Sequence, residues 1–209
     1  MTRYAQSERR SLADLLAALG PDEPTLCEGW TTRDLAAHVI VRERRPDAAA
    51  GIVVPPLRDW GERVRVDTAR TPYAELVAQV RDAPWWSPVS NPLVDWLNNT
   101  LEFFIHHEDV RRAQPGWQPR ELPRDMEQSL WTRIPGVARL ALRRQRADVL
   151  VQAPGYGEAK AGAGGPRVRL VGPPGELVLF LSGRQRASRV QLDGPAEQVD
   201  KLRTARLGF

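Results

Sequence analysis

With 209 residues and 42% hydrophobic positions the chain is long enough to bury a real core and has the composition of an ordinary globular protein. Its 30 basic residues are interspersed with 26 acidic ones, so the net charge of +4 and the pI of about 9.8 argue against a dedicated nucleic-acid surface. No apolar run approaches the roughly 20 residues of a membrane span, and the first residues lack an apolar signal core, so a cytoplasmic protein without membrane partners is expected.

In chain order, residues 7–19 read as an amphipathic helix with Leu12, Leu15, Leu16 and Leu19 on one side, stopped by Gly20-Pro21. Cys27, the single cysteine, rules out an intrachain disulfide and a cysteine-based cluster. With no histidine or cation cluster near it in sequence, it reads as a small buried side chain in the turn before Gly29-Trp30. Residues 31–45 form the next helix, capped by Thr31 or Thr32 with Asp34 in its first turn. His38 falls beside Leu35 and Val39 on the apolar stripe and points inward.

Pro55-Pro56 marks a connection, followed by a helical patch at 57–66 and a short helix from Thr71-Pro72 to Arg81, with Pro72 in its first turn. Residues 84–92 make a rigid aromatic loop whose Trp85 and Trp86 wall a site or close the end of a bundle. The stretch 98–112 is a helix holding two of the three histidines, with Leu101, Phe104 and Ile105 at helical spacing. Glu102 and His106, four apart, are offset by only about 40° and reach one point beside the helix, while His107 is turned about 100° away from His106. His107 is read as exposed or as an outer hydrogen-bond donor.

Packed face to face, these two helices bring His38 opposite Glu102 and His106, a nitrogen and oxygen set suited to Zn²⁺ and other borderline divalent ions. Asp109, three residues past His106, is positioned to hold the other ring nitrogen. The plainer alternatives are a hydrogen-bonded core histidine, a solvated Glu/His helix pair, and an Asp109 paired with Arg111 or Arg112. Two Glu-x-x-His motifs are absent, which disfavours a di-iron bundle, and His107-Glu108 lacks the second histidine of a metalloprotease motif.

After a turn-rich break at 114–119, residues 123–146 read as one long helix kinked at Pro135-Gly136. The arginine-rich runs at 42–45 and 139–146 are read as solvated helix faces. From Asp148 the pattern turns to short strands at 149–151 and 168–171, separated by a Gly/Ala-rich hairpin at 154–166. Residues 176–183 suit strand or helix by pattern, 189–192 a strand, and 195–206 a final helix. Gly162 to Gly165 does not precede a helix, so no phosphate-cradling loop is expected.

The stretch Leu26-Cys27-Glu28-Gly29-Trp30-Thr31-Thr32-Arg33-Asp34-Leu35-Ala36-Ala37-His38, together with Glu102-x-x-x-His106-x-x-Asp109, resembles the motifs of the DinB and mycothiol-dependent maleylpyruvate isomerase superfamily, in its actinobacterial branch. The resemblance implies a mainly α fold: a four-helix up-down-down-up bundle over residues 1–147, followed by a small α/β domain over 148–209. It implies one divalent metal, zinc foremost with nickel, iron or manganese as alternatives, held by His38, Glu102 and His106. Where many members carry three histidines, this chain has Glu102 in the middle, as the isomerase branch does. It makes 176–183 a helix, carried by Leu177-Val178-Leu179-Phe180-Leu181-Ser182-Gly183-Arg184, and offers Arg184 as an anion-binding residue toward a cofactor. The function implied is a thiol-dependent transferase or isomerase, with mycothiol or a similar small thiol and an electrophilic substrate as partners. The alternative is a non-catalytic protein whose metal ties two helices together.

Overall fold

The computed structural model describes residues 3–49, 55–82 and 92–208. The aromatic loop expected to wall the site lies outside the described residues, apart from the Pro92 that opens the next helix. The chain is mainly helical with one small sheet, and divides into two compact units, 1–118 and 119–209. The expected boundary at 147/148 is where helices give way to strands. Compactness divides the chain earlier, because the two helices after residue 118 pack with the sheet-bearing segment.

In the first unit, α1 (Arg3–Leu19), α2 (Thr32–Arg44), a short turn of helix α3 (Pro46–Ala49), α4 (Arg58–Ala69), α5 (Tyr73–Arg81) and α6 (Pro92–Arg111) follow one another. The leucine stripe of α1 buries Leu12 and Leu16 against Leu35, Val39 and Ile40 of α2, Leu76 and Val80 of α5, and Phe103 and Val110 of α6. Fully burying each such side chain contributes about 1.5–3 kcal/mol. Pro72 occupies the N-cap of α5 and not its first turn. Polar groups are built into this core in pairs. Arg9 of α1 reaches Glu43 of α2, donates to the Val80 carbonyl at 2.7 Å, and lies over the Phe103 ring. His107, read as exposed or as an outer hydrogen-bond donor, is buried, its Nδ1 2.9 Å from the Glu8 carboxylate of α1. Turned away from His106 on α6, it meets the neighbouring helix.

The second unit holds α7 (Arg124–Trp131), α8 (Ile134–Leu142), β1 (Asp148–Ala153), β2 (Gly157–Ala161), β3 (Arg167–Val171), α9 (Pro174–Leu181), β4 (Gln191–Asp193) and α10 (Ala196–Thr204). The single long helix expected over 123–146 is two helices, and the break falls at Thr132-Arg133, before the proline. Pro135 lacks the N–H that would bond the Trp131 carbonyl, so the chain starts a fresh helix in whose first turn the proline is harmless. The sheet order is β2-β1-β3-β4, with β1 and β3 parallel and the other pairs antiparallel. The segment read as a plain hairpin contains β2, paired with β1 from Gly157 opposite Ala153 to Ala161 opposite Val149. The last strand begins two residues later than expected. Alternating Val149, Val151 and Ala153 with Val168 and Leu170 form the buried positions of β1 and β3. Residues 174–181 are the helix that the resemblance selected, buried throughout. Among the described residues no helix is long and apolar enough to cross a membrane.

Candidate metal centre

The site is assembled from α2, α6 and the loop before α2. In that loop the Trp30 N–H donates to the Cys27 carbonyl at 2.9 Å, closing a turn whose third residue, Gly29, has φ +77°. A turn with positive φ at that position calls for glycine. A bridge between Pro24 and Thr31 closes the loop, and the Leu26 N–H donates to the Asp109 carbonyl at 3.0 Å, tying it to α6. The helix then starts on a reciprocal cap in which Asp34 Oδ2 accepts from both the N–H and the hydroxyl of Thr31, each at 3.0 Å. Two turns of this geometry aim Cys27 at α6 and Trp30 at His38.

One ligand atom from each of His38, Glu102 and His106 lies within 4.8 Å of the others. Glu102 Oε2 is 3.4 Å from His106 Nε2, and the His38 and His106 rings meet edge to face with centroids 5.1 Å apart. The sequence-predicted residues therefore come together, and His107 stands apart with Glu8. Asp109 occupies its expected place, Oδ2 3.0 Å from His106 Nδ1. With the Nδ1 proton directed at that carboxylate, the Nε2 lone pair of a neutral ring faces Glu102 and His38.

Four contributors escaped the sequence reading. Cys27 Sγ donates to Asp109 Oδ2 at 3.3 Å. Arg42, taken for part of a solvated face, is largely buried: it donates to Asn99 Oδ1 at 2.9 Å and its Nε lies 3.5 Å from Glu102 Oε2. Trp30 packs on His38 with ring centroids 5.1 Å apart, and Arg65 lies over the Trp30 ring, its guanidinium 4.8 Å from the ring centroid and donating to Asp34 Oδ1 at 2.7 Å. Trp30, His38, Arg58 and Arg65 line a pocket of about 210 Å³ that reaches the site. Arginine runs look alike in sequence whether solvated or turned across to a neighbouring helix. Only Gly29-Trp30 carried a local signal.

Charge at the site follows from this packing. Burial opposes ionisation of Glu102, yet the hydrogen bond with His106 and the charge of Arg42 outweigh it and hold the carboxyl at about 2. Burial, reinforced by the charge of His106, depresses His38 to about 3, so it is a neutral imidazole with a lone pair to offer. Burial also disfavours the charged form of His106, but hydrogen bonds with Asp109, Cys27 and Glu102 prevail and raise it well above its ordinary 6.5. Cys27, His106 and Asp109 also form a group of ligand-type atoms within 4.8 Å, in which Asp109 is already hydrogen-bonded with His106 Nδ1. Arg184 lies in the second unit after α9, where its guanidinium donates to the Ser182 carbonyl at 2.5 Å.

No family model and no curated protein matches the sequence. Two solved structures match the fold. A histidine-to-alanine variant of the mycothiol-dependent maleylpyruvate isomerase has a TM-score of 0.60 and 17% identity, over 91% of this chain and 90% of that one. Another crystal structure of the mycothiol-dependent maleylpyruvate isomerase has a TM-score of 0.56 and 19% identity over the same shares. The resemblance seen in the two helix motifs thus extends over nearly the whole chain, which has the fold of the mycothiol-dependent maleylpyruvate isomerase.

Proposed function

We propose that the first unit binds one divalent metal ion through His38, Glu102 and His106, and that the protein is a thiol-dependent transferase or isomerase. The observation that carries this reading is the convergence, within 4.8 Å, of two imidazoles and a carboxylate from two different helices. The donor set suits zinc, with nickel, iron and manganese as alternatives. The solved structures of similar fold are of a mycothiol-dependent isomerase, which supports mycothiol or a similar small thiol as the cofactor and an electrophile as its reaction partner.

When bound, the ion would supply a positive charge that favours the thiolate, the nucleophilic form of a thiol, beside a position left open by three protein ligands. The chain's own residues prepare that chemistry. Asp109 keeps the Nδ1 proton and with it the ring orientation of His106. Arg42 holds Glu102 anionic, while Asn99 holds Arg42. Trp30 covers one side of His38 and limits its contact with water. The pocket of about 210 Å³ at His38 gives a small molecule an approach to the site.

We further propose that α1, α2, the α4 and α5 segment and α6 are the four staves of an up-down-down-up bundle of the DinB kind. Arg184 is retained as a candidate anion-binding residue, to be tested by its effect on thiol affinity. The metal reading is tested by titrating metal-free protein with Zn²⁺ against a competing chelator. One equivalent should bind to the native chain, His38→Ala and His106→Ala should abolish it, and Glu102→Gln should weaken it less than Glu102→Ala. Unchanged affinity in both histidine variants would refute the ligand set.

A further inference from the structure

We propose that the second unit carries a binding site of its own, for a small ammonium compound with an apolar body, in the crevice where β1 and β3 end. The crevice encloses about 470 Å³, and Glu127, Pro154, Tyr156, Pro173, Arg189 and Gln191 are among its lining residues. That volume lies within the range of small-molecule pockets.

The topology explains why a crevice exists there. β1 and β3 run side by side in parallel, from Asp148 opposite Arg167 to Gln152 opposite Val171. From the end of β1 the chain turns outward to β2, and from the end of β3 it leaves through α9 for β4 on the opposite side of the sheet order. The two exits diverge, and the gap outside the carboxyl ends of such strands is where α/β sheets commonly take ligands. Pro154 directly follows β1, and Gly172-Pro173 directly follows β3. At Gly172 a Cβ would stand 3.2 Å from Val190 Cγ1, so the chain passes close to its neighbour there.

Glu127 sets the chemistry of the ligand. It is half-buried on α7 and, among the described residues, its carboxylate has no hydrogen-bond or ion-pair partner. Burial raises its carboxyl above the ordinary value, and the nearby Glu176 carboxylate raises it further. Both effects mark a place where negative charge lacks compensation, and an ammonium group supplies it. Glu176 is already engaged, its Oε2 accepting from the Arg189 N–H at 2.6 Å. The Tyr156 hydroxyl is likewise without a partner among the described residues, and its ring, with Pro154 and Pro173, gives the ligand's body an apolar wall. Arg189 also lines the crevice, but its side chain is exposed, so solvent and salt screen its charge more than that of Glu127. All of these residues belong to the second unit, so the site is independent of the metal reading.

The test uses three molecules of one shape on the full, metal-free chain: phenethylamine, 2-phenylethanol and 3-phenylpropionate. Amide shift mapping should place phenethylamine at Glu127, Tyr156 and Gly172, with an affinity about tenfold above that of the alcohol and no saturable binding of the anion. Glu127→Gln, which keeps the shape, should bring the amine down to the level of the alcohol, with the unchanged amide spectrum of α9 as the control for folding. Equal affinities for amine and alcohol, a preference for the anion, shifts mapping elsewhere, or an amine preference that survives Glu127→Gln would each overturn the proposal.

Discussion

Asp109 is fully buried, and its Oδ2 accepts from His106 Nδ1 at 3.0 Å and from Cys27 Sγ at 3.3 Å. Because it fixes which nitrogen of His106 carries the proton, Asp109→Asn should lower Zn²⁺ affinity about 10–100-fold without unfolding the chain, read by chelator competition. Cys27→Ala leaves the histidine contact in place and should cost less. A Cys27→Ala effect equal to that of Asp109→Asn would mean that the thiol is itself a ligand. The raised His106 also fixes the sign of the pH dependence. In the metal-free protein its charge pairing contributes stability that is present below the unfolded value of 6.5 and is lost as pH rises through the higher folded value. Metal binding must displace that proton, so Zn²⁺ affinity should rise with pH through and beyond 6.5 and proton release should accompany titration. Affinity that falls as pH rises across that window would contradict the assignment.

At the scale of elements, the loop before α2 and the buried pair between α1 and α2 position the site. Gly29→Ala forces a Cβ onto a backbone with φ +77°, where nothing lies within 4 Å to clash, so the cost is conformational. About 1 kcal/mol of stability should be lost in denaturant unfolding, together with part of the metal affinity, because Cys27 and Trp30 flank this glycine. Arg9→Ala should be more severe, about 3–5 kcal/mol, since it takes a charged partner from the buried Glu43 carboxylate. Replacing both partners, as Arg9→Met with Glu43→Leu, should recover much of that loss. The helices themselves were legible in sequence because apolar spacing reports which face is buried. The split of 123–146 was misread, since Pro135 was taken as a kink within one helix although its missing N–H favours a new start. β2 was hidden because its sequence, Gly-Glu-Ala-Lys-Ala, carries mostly exposed or half-buried residues with no apolar alternation, and its pairing with β1 supplies the order.

At the scale of the molecule, the fold is that of a mycothiol-dependent maleylpyruvate isomerase at 17–19% identity, a distance over which backbone architecture persists while most side chains change. His38, Glu102, His106 and Asp109 were readable because each lies on a helix face fixed by local spacing. Cys27, Arg42 and Trp30 were not, because their roles depend on contacts across the fold: Cys27 is 82 positions from Asp109, and Arg42 is 57 from Asn99. The central claim is that the three converging side chains hold an ion able to take a thiolate. It is tested by loading the Cys27→Ala chain with Co²⁺, so that no protein sulfur contributes, and adding a low-molecular-weight thiol while recording the near-ultraviolet spectrum. A saturable sulfur-to-cobalt charge-transfer band, absent when His38→Ala or His106→Ala is added to the same chain, is the predicted result; a cobalt-loaded protein whose spectrum is unchanged by the thiol would contradict it.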